Sequence, residues 1–258
     1  MCERKYMAAV RCFTFQHINY IENTLDGFSM QKTNFPYVCI VVDDASTDGT
    51  ASVIRKYIKV HFEVTSTQAI PENLGEFVLA RHKLNKFCDL AYVELSRNLY
   101  REMPRKLSLI QKWRDASRYE AICEGDDYWI DPYKLQKQVD ILEADETLMG
   151  VFTNRRLVDM NGNTLEERKE NIVPSNQSCR VTMRDYFDYN LIYPTASVLY
   201  RNNHSIEIAK KMQHMANPFL SDWTMWIALH CFGDFYYLND VTSAYRINPT
   251  SVTHTQWV

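Results

Sequence analysis

Tyr37-Val38-Cys39-Ile40-Val41-Val42-Asp43-Asp44-Ala45-Ser46-Thr47-Asp48-Gly49-Thr50 decides the fold. Tyr37 to Val42 run without a polar interruption, as a strand of a parallel sheet does when both its faces are covered. The chain then breaks into a polar loop, and from about Thr50 to His61 the spacing of Val53, Ile54, Tyr57 and Ile58 predicts a helix. Asp48 and Thr50 are its candidate caps. Upstream, residues 6–15 suit a buried first strand, and Ile18, Ile21, Leu25 and Phe28 have helical spacing, ending near Gly27. Strand, helix, strand, polar loop and helix open a doubly wound α/β sheet.

A second stretch, Ala121-Ile122-Cys123-Glu124-Gly125-Asp126-Asp127-Tyr128-Trp129, carries the chemistry. A strand from Tyr119 to Cys123 runs into a turn at Gly125 and presents two adjacent acids at its carboxyl end, where open α/β sheets place ligands. Adjacent carboxylates repel, and a divalent cation or a pair of ribose hydroxyls would relieve that repulsion. The plainer alternative is a solvated turn. Tyr128 and Trp129 suit either a sugar face or the core.

Elsewhere, Glu76 to Ala80 reads as a third strand, and Leu84 to Trp113 as mostly helical with a break at Pro104. A helix follows Pro132 over Tyr133 to Ala144, with Leu135, Val139 and Leu142 on one face. Leu148 to Asn154 suits a strand, and Asp159 to Asn163 a hairpin-type turn. Residues 163–182 read as a polar, mobile excursion. Beyond them, Tyr193 to Tyr200 reads as a strand, Ser205 to Met215 and Ser221 to Cys231 as helices, and Phe235 to Tyr245 as two short strands around a turn. No repeat or linker divides the chain, so residues 1–258 are expected to form one domain with an amino-terminal half, 1–130, and a carboxyl-terminal half, 131–258.

Composition narrows the function classes. With 46% apolar and 24% charged residues in 258, the chain can bury a sizeable core. A formal net charge of -3 and interspersed charges argue against nucleic acid as a partner. Seven cysteines without CxxC spacing suit reduced thiols in a cytoplasmic protein. Neither a signal-type leader nor an eighteen-residue apolar run is visible. Peripheral membrane association and homo-oligomerisation stay open, although Asp222 within the aromatic stretch Phe219 to Phe232 argues against burial in lipid.

Four segments together resemble the family 2 glycosyltransferases. Ile40 to Thr50 is similar to the family's V-D-D-x-S-x-D-G-T nucleotide-binding loop. Val10 to Tyr20 resembles its opening strand and loop, with Phe13-Thr14-Phe15-Gln16 replacing the commoner P-T-Y-N. Glu124 to Trp129 occupies the place of its D-x-D-type element, and Ser221-Asp222-Trp223 resembles its later acidic motif. The resemblance implies a GT-A-type, Rossmann-like α/β fold with a mostly parallel central sheet flanked by helices and a small antiparallel addition. The nearest resemblance is to bacterial members that build surface polysaccharides. It further implies a nucleotide-sugar donor, a saccharide or lipid-linked saccharide acceptor, and single-displacement transfer with inversion. Uracil is the implied base, with guanine and thymine as alternatives.

The residue assignments follow the same resemblance. Asp44, the second acid of its pair, would contact the base; Asp43 and Thr14 would line that pocket, although all three also suit local capping. Asp126 would approach the ribose or the metal, and Asp127 would hold Mn²⁺ or Mg²⁺. No glycine-rich phosphate loop is present; a metal can neutralise the leaving-group charge instead, and hard oxygen ligands suit these ions. Asp222, expected near a helix N-terminus that favours its ionised form, would be the catalytic base; simple helix capping is the alternative. Arg81 would approach the phosphates or form a solvated edge. Arg246 and His254 lie where relatives often contact the diphosphate or metal, but the residues themselves read as surface. The chain is shorter than many relatives, so a carboxyl-terminal helix carrying acceptor or membrane contacts is expected to be missing. Two competing activities are a sugar-phosphate nucleotidyltransferase, which would need a basic, glycine-rich loop where Thr14 to Asn19 has none, and a catalytically inactive scaffold, which has no use for four acids around one cleft.

Overall fold

The computed structural model describes residues 4–165, 177–188, 194–203 and 221–247. Four parallel strands form its centre: β1 (Tyr6–Thr14), β2 (Tyr37–Asp43), β5 (Cys88–Leu95) and β6 (Ser117–Ile122), in the order β5-β2-β1-β6. All seven residues of β2 are buried, as its unbroken apolar run requires when both faces are covered. Antiparallel strands flank this centre: β3 (Phe62–Ile70) and β4 (Gly75–His82) beyond β5, and β10 (Leu199–Arg201) beyond β6. Next come β8 (Leu148–Val158), β11 (Asp234–Arg246) and the two-residue β7 (Tyr128–Trp129), with β9 (Cys179–Val181) also paired to β11.

This order positions the site. From β1 the chain steps to β2 on one side, and β6 later occupies the other, so the carboxyl end of β1 lies at a topological switch point. Thr14 pairs with Asp43 in register, and past β6 the Cys123 and Gly125 amides still donate to the carbonyls of Arg11 and Phe13. Three strand ends therefore open onto one crevice.

Helix α1 (Ile21–Ser29) covers one face of the sheet with Ile21, Thr24, Leu25 and Phe28. Gly27 lies inside this helix rather than ending it. A Cβ there would sit 2.8 Å from the Trp129 amide nitrogen, so the glycine lets α1 meet β7 backbone to backbone. Helix α2 (Thr50–His61) starts where the spacing predicts, with the Asp48 carboxylate accepting from the Thr50 amide at 2.9 Å. Helices α3 (Met103–Asp115) and α4 (Lys134–Ala144) complete the layers, and Pro104 stands in the first turn of α3. No helix among the described residues is long and apolar enough to cross a membrane.

Several elements differ from the sequence reading. Residues 88–95 are not helical but form a central strand, because Leu90, Ala91, Tyr92 and Val93 are covered on both faces; so short an apolar run has no period to distinguish it from a helix. Strand β3 was not expected: most of its side chains are exposed, so no apolar pattern marks it. Phe235 to Tyr245 is one continuous strand, with register shifts around Leu238 and Val241 where a turn was expected. Thr195–Ser197 is a short 3₁₀ turn before β10, within the stretch expected as a strand. The excursion at 163–182 closes in β9, while its residues 166–176 lie outside the described residues, as does the expected helix Ser205 to Met215.

Lys134 is fully buried; its ammonium donates to Gln138 Oε1 at 2.7 Å and lies 4.3 Å from the Trp129 ring centroid. Burial pushes its pKa down to about 7, against the pull of Cys123 and Asp131. The unfolded chain thus binds an extra proton between pH 7 and 10.5, and this group makes stability rise with pH across that window by up to roughly 5 kcal/mol. Denaturant unfolding of Lys134→Met should lack that rise and show higher stability than the wild type at pH 7. Parallel pH profiles for the two proteins would refute this.

Candidate active site

The acid turn after β6 is built by contacts from three other parts of the chain. Thr24 Oγ1 on α1 lies 2.7 Å from the Asp127 carbonyl oxygen and 3.1 Å from that of Gly125. A Cβ on Gly125 would approach Thr14 Oγ1 to 2.4 Å, so only glycine lets the turn close on the end of β1. Arg246, at the end of β11, donates its amide to Asp127 Oδ1 at 2.8 Å and its Nε to the Asp126 carbonyl at 2.9 Å. Its Nη1 reaches the carbonyls of Asp159 and Met160, and its guanidinium lies 4.5 Å from the Tyr20 ring centroid. Arg246 is buried, not on the surface, and it organises the turn through backbone atoms, which a linear reading cannot anticipate.

The two aspartates have different environments. Asp127 is 4% exposed and faces inward; burial and then the neighbouring Asp126 charge push its carboxyl well above the usual range. The Asp126 side chain is 30% exposed and faces the crevice, with its Oδ2 3.9 Å from His17 Nε2. Asp127, expected to hold a metal, is thus buried, and Asp126 is the more accessible carboxylate of the two. Glu124 is half-buried beside them. Burial raises its pKa, Arg11 opposes, and the charges of Asp222 and Asp126 add to the rise, leaving it at about 7. This acid was not among the expected site residues, although its place in the D-x-D-type element was a signal.

At the end of β2 the two acids also have different surroundings. Asp44 Oδ1 accepts from the Leu99 amide at 2.6 Å, and its Oδ2 from Lys106 Nζ at 2.8 Å. Both partners are buried and both oxygens are engaged, so Asp44, expected to contact a base, ties the end of β2 to α3 in this structure. Asp43 Oδ1 takes the Ser46 amide and hydroxyl, while Oδ2 is buried without a hydrogen-bond partner among the described residues. A buried unpaired carboxylate oxygen is costly and invites a donor. Burial raises the Asp43 pKa, and the Ser46 bonds oppose that rise.

Asp222 lies in the first turn of the helix Ser221–His230, exposed, with its Oδ2 3.4 Å from Thr195 Oγ1. The 3₁₀ turn that carries Thr195 is held by Trp129, whose Nε1 donates to the Ala196 carbonyl at 2.8 Å. Trp129 is thus core, 1% exposed, and supports Asp222 rather than stacking on a sugar. The electrostatic effect of Asp222 on Glu124 places these acids in one neighbourhood. Arg81 is not brought there. It is exposed and pairs with Asp89 at 3.1 Å near the amino end of β5, about 16 Å of strand from the Asp43 end. His254 lies outside the described residues.

Deeper on the α3 side, Glu120 is fully buried between Arg11 and Arg114, at 2.8 and 2.9 Å. Burial raises its pKa, but the two arginines together bring it below the ordinary value. Removing one member of a buried pair costs more than replacing both. Lys106→Ala should therefore destabilise the protein by about 3–5 kcal/mol by stranding Asp44, whereas Lys106→Met combined with Asp44→Asn should lose much less. Urea midpoints for the two variants decide it; equal losses would count against the pairing.

Residues 13–75 match the family model described as Glycosyl transferase family 2, a segment that contains Thr14, Asp43 and Asp44 but not the later acids. The uncharacterized protein Rv1520 of Mycobacterium tuberculosis is 26% identical over 249 residues, covering 95% of this chain and 60% of that protein. The uncharacterized protein Mb1547 of Mycobacterium bovis matches to the same extent, so the chain spans about 60% of the length of the curated relatives it matches. Among solved structures, S. aureus TarS 1-349 in complex with UDP superimposes with a TM-score of 0.57 at 17% identity, over 94% of this chain and 61% of that one. The mannosyltransferase PcManGT from Pyrobaculum calidifontis, in complex with GDP-Man and Mn2+, gives 0.53 at 16% identity over 98% of this chain and 60% of that one. At these identities the likeness to the two structures is one of fold: a mixed α/β sheet of the GT-A type.

Proposed function

We propose that this chain is an inverting, metal-dependent family 2 glycosyltransferase. It would move a sugar from a nucleoside-diphosphate donor, UDP-linked in the first instance, to a saccharide or lipid-linked saccharide of a cell-surface polysaccharide. The single observation that carries the reading is Asp43 Oδ2, buried and unpartnered at a switch point that Asp126 also faces. A base N–H would satisfy that oxygen, which is closed to solvent in this structure and would have to be uncovered by the loop after β2. The match over residues 13–75 and the UDP, UDP-GlcNAc and GDP-Man held by proteins of similar fold support the same donor class.

Among the described residues no group of three or more His, Cys, Asp or Glu could hold an ion, so a divalent cation here would take the hard oxygens that Asp126 offers to the crevice and draw most of its shell from the substrate and water. Such a site suits Mg²⁺ or Mn²⁺, whose shells are commonly completed by substrate phosphates and water. When bound, the cation would neutralise charge on the departing diphosphate. Asp43 and Thr14 would orient the nucleotide. Asp222 would accept the proton of the acceptor hydroxyl as its oxygen bonds to the anomeric carbon and the bond to the diphosphate breaks, inverting that centre. No second carboxylate nucleophile is needed.

Calorimetry with UDP and GDP, in Mn²⁺ and in chelator, tests this. Micromolar binding should require both metal and Asp126, and Asp43→Ala should weaken it at least about tenfold, as expected for a lost base contact of ~1.4 kcal/mol or more. Asp222→Asn should keep the binding and slow release of the nucleoside diphosphate from a donor sugar by about 100-fold or more. Failure of every nucleotide to bind would overturn the reading in favour of a non-catalytic binding subunit.

A further inference from the structure

We infer that His17 is a second protein ligand, beside Asp126, for the divalent cation at this site, an assignment that rests on the transferase reading above. His17 Nδ1 lies 3.1 Å from Thr14 Oγ1, and Nε2 lies 3.9 Å from Asp126 Oδ2. The second gap is too long for a hydrogen bond. It is slightly shorter than two metal–ligand bonds of about 2.1 Å each, so one cation can reach both atoms, and closing the gap to about 3 Å by side-chain rotation would make them adjacent ligands of an octahedral shell. With Thr14 accepting from Nδ1–H, the ring presents the lone pair of Nε2 towards Asp126. A ligating histidine characteristically has its other nitrogen held in this way.

The imidazole is held in place before any ligand arrives. Gln16, at a φ of 60°, accepts the Thr47 and Asp48 amides on its Oε1. The His17 amide donates to Thr50 Oγ1 at 2.9 Å, and the Ile18 amide to Asp48 Oδ2 at 3.0 Å. The loop after β1 is thereby fastened to the start of α2 on both sides of His17. A Cβ on Gly125 would come within 2.8 Å of His17 Nδ1, so the acid turn can approach the ring only as glycine. Imidazole is a softer donor than carboxylate or water, and its presence favours Mn²⁺ over Mg²⁺.

The test uses the full chain with UDP and Mn²⁺. Electron spin-echo modulation of the bound Mn²⁺ should show coupling to a directly ligated nitrogen, altered when the protein is labelled with ¹⁵N-histidine. That coupling should vanish in His17→Ala and His17→Gln and persist in His254→Ala. Calorimetry should show Mn²⁺ affinity falling about 10- to 100-fold in both His17 variants and in Thr14→Val, with Mg²⁺ affinity much less affected. Metal-dependent UDP binding without a nitrogen coupling in the wild type, or with one that survives His17→Ala, would overturn this assignment and leave the transferase reading standing. No metal-dependent nucleotide binding at all would overturn both.

Discussion

Three carboxylates in four consecutive residues, Glu124, Asp126 and Asp127, repel one another, and the architecture around them answers that repulsion. Arg246 arrives from the end of β11, more than a hundred residues away, and fastens the turn through an amide and a guanidinium. Thr24 reaches in from α1, and Gly125 leaves the space in which the turn meets Thr14 and His17. The charges are then distributed unequally. Asp127 is turned inward against the Arg246 amide and its carboxyl is pushed upward, Glu124 sits at about 7, and Asp126 faces the crevice.

The same division of labour recurs at β2. Of two adjacent aspartates, one is consumed by the protein and one keeps a free oxygen. Asp44 closes a buried ion pair with Lys106 that links the central strand to α3, while Asp43 retains Oδ2. Buried pairs of this kind hold geometry more than they add stability, because desolvation offsets much of their attraction. Glu120 between Arg11 and Arg114 has that character too, beneath the strand ends that carry the site. Rigidity around the strand ends lets an unsatisfied oxygen persist there, buried beside Asp44.

Much of this was legible in the chain. The unbroken run Tyr37 to Val42, the helix from Thr50 to His61, the strand before Glu124 and the helix after Pro132 all stand where periodicity and turn chemistry place them. What failed did so for physical reasons. Cys88–Leu95 is too short and too uniformly apolar to show a period, the exposed β3 shows no apolar pattern, and the register shifts in β11 mimic a turn. In the candidate site, the acids at strand ends were readable, but which member of each pair the fold would engage was not.

The sequence by itself determined the α/β character, the positions of the acid-bearing strand ends and the set of residues from which a donor site could be made, because these depend on local pattern and spacing. Only the tertiary structure decided that both oxygens of Asp44 are engaged while Asp43 keeps a buried unpaired one, that Asp127 turns inward and Asp126 faces the crevice, that Arg246 is buried beneath the acids, and that Arg81 lies at the opposite end of the strands. Those outcomes depend on partners distant in the chain: Lys106 from α3, the Arg246 amide from β11 and Asp89 from β5. A side chain's direction at a strand end is set by whichever charge or donor the fold carries to it, and a linear pattern holds no record of that encounter.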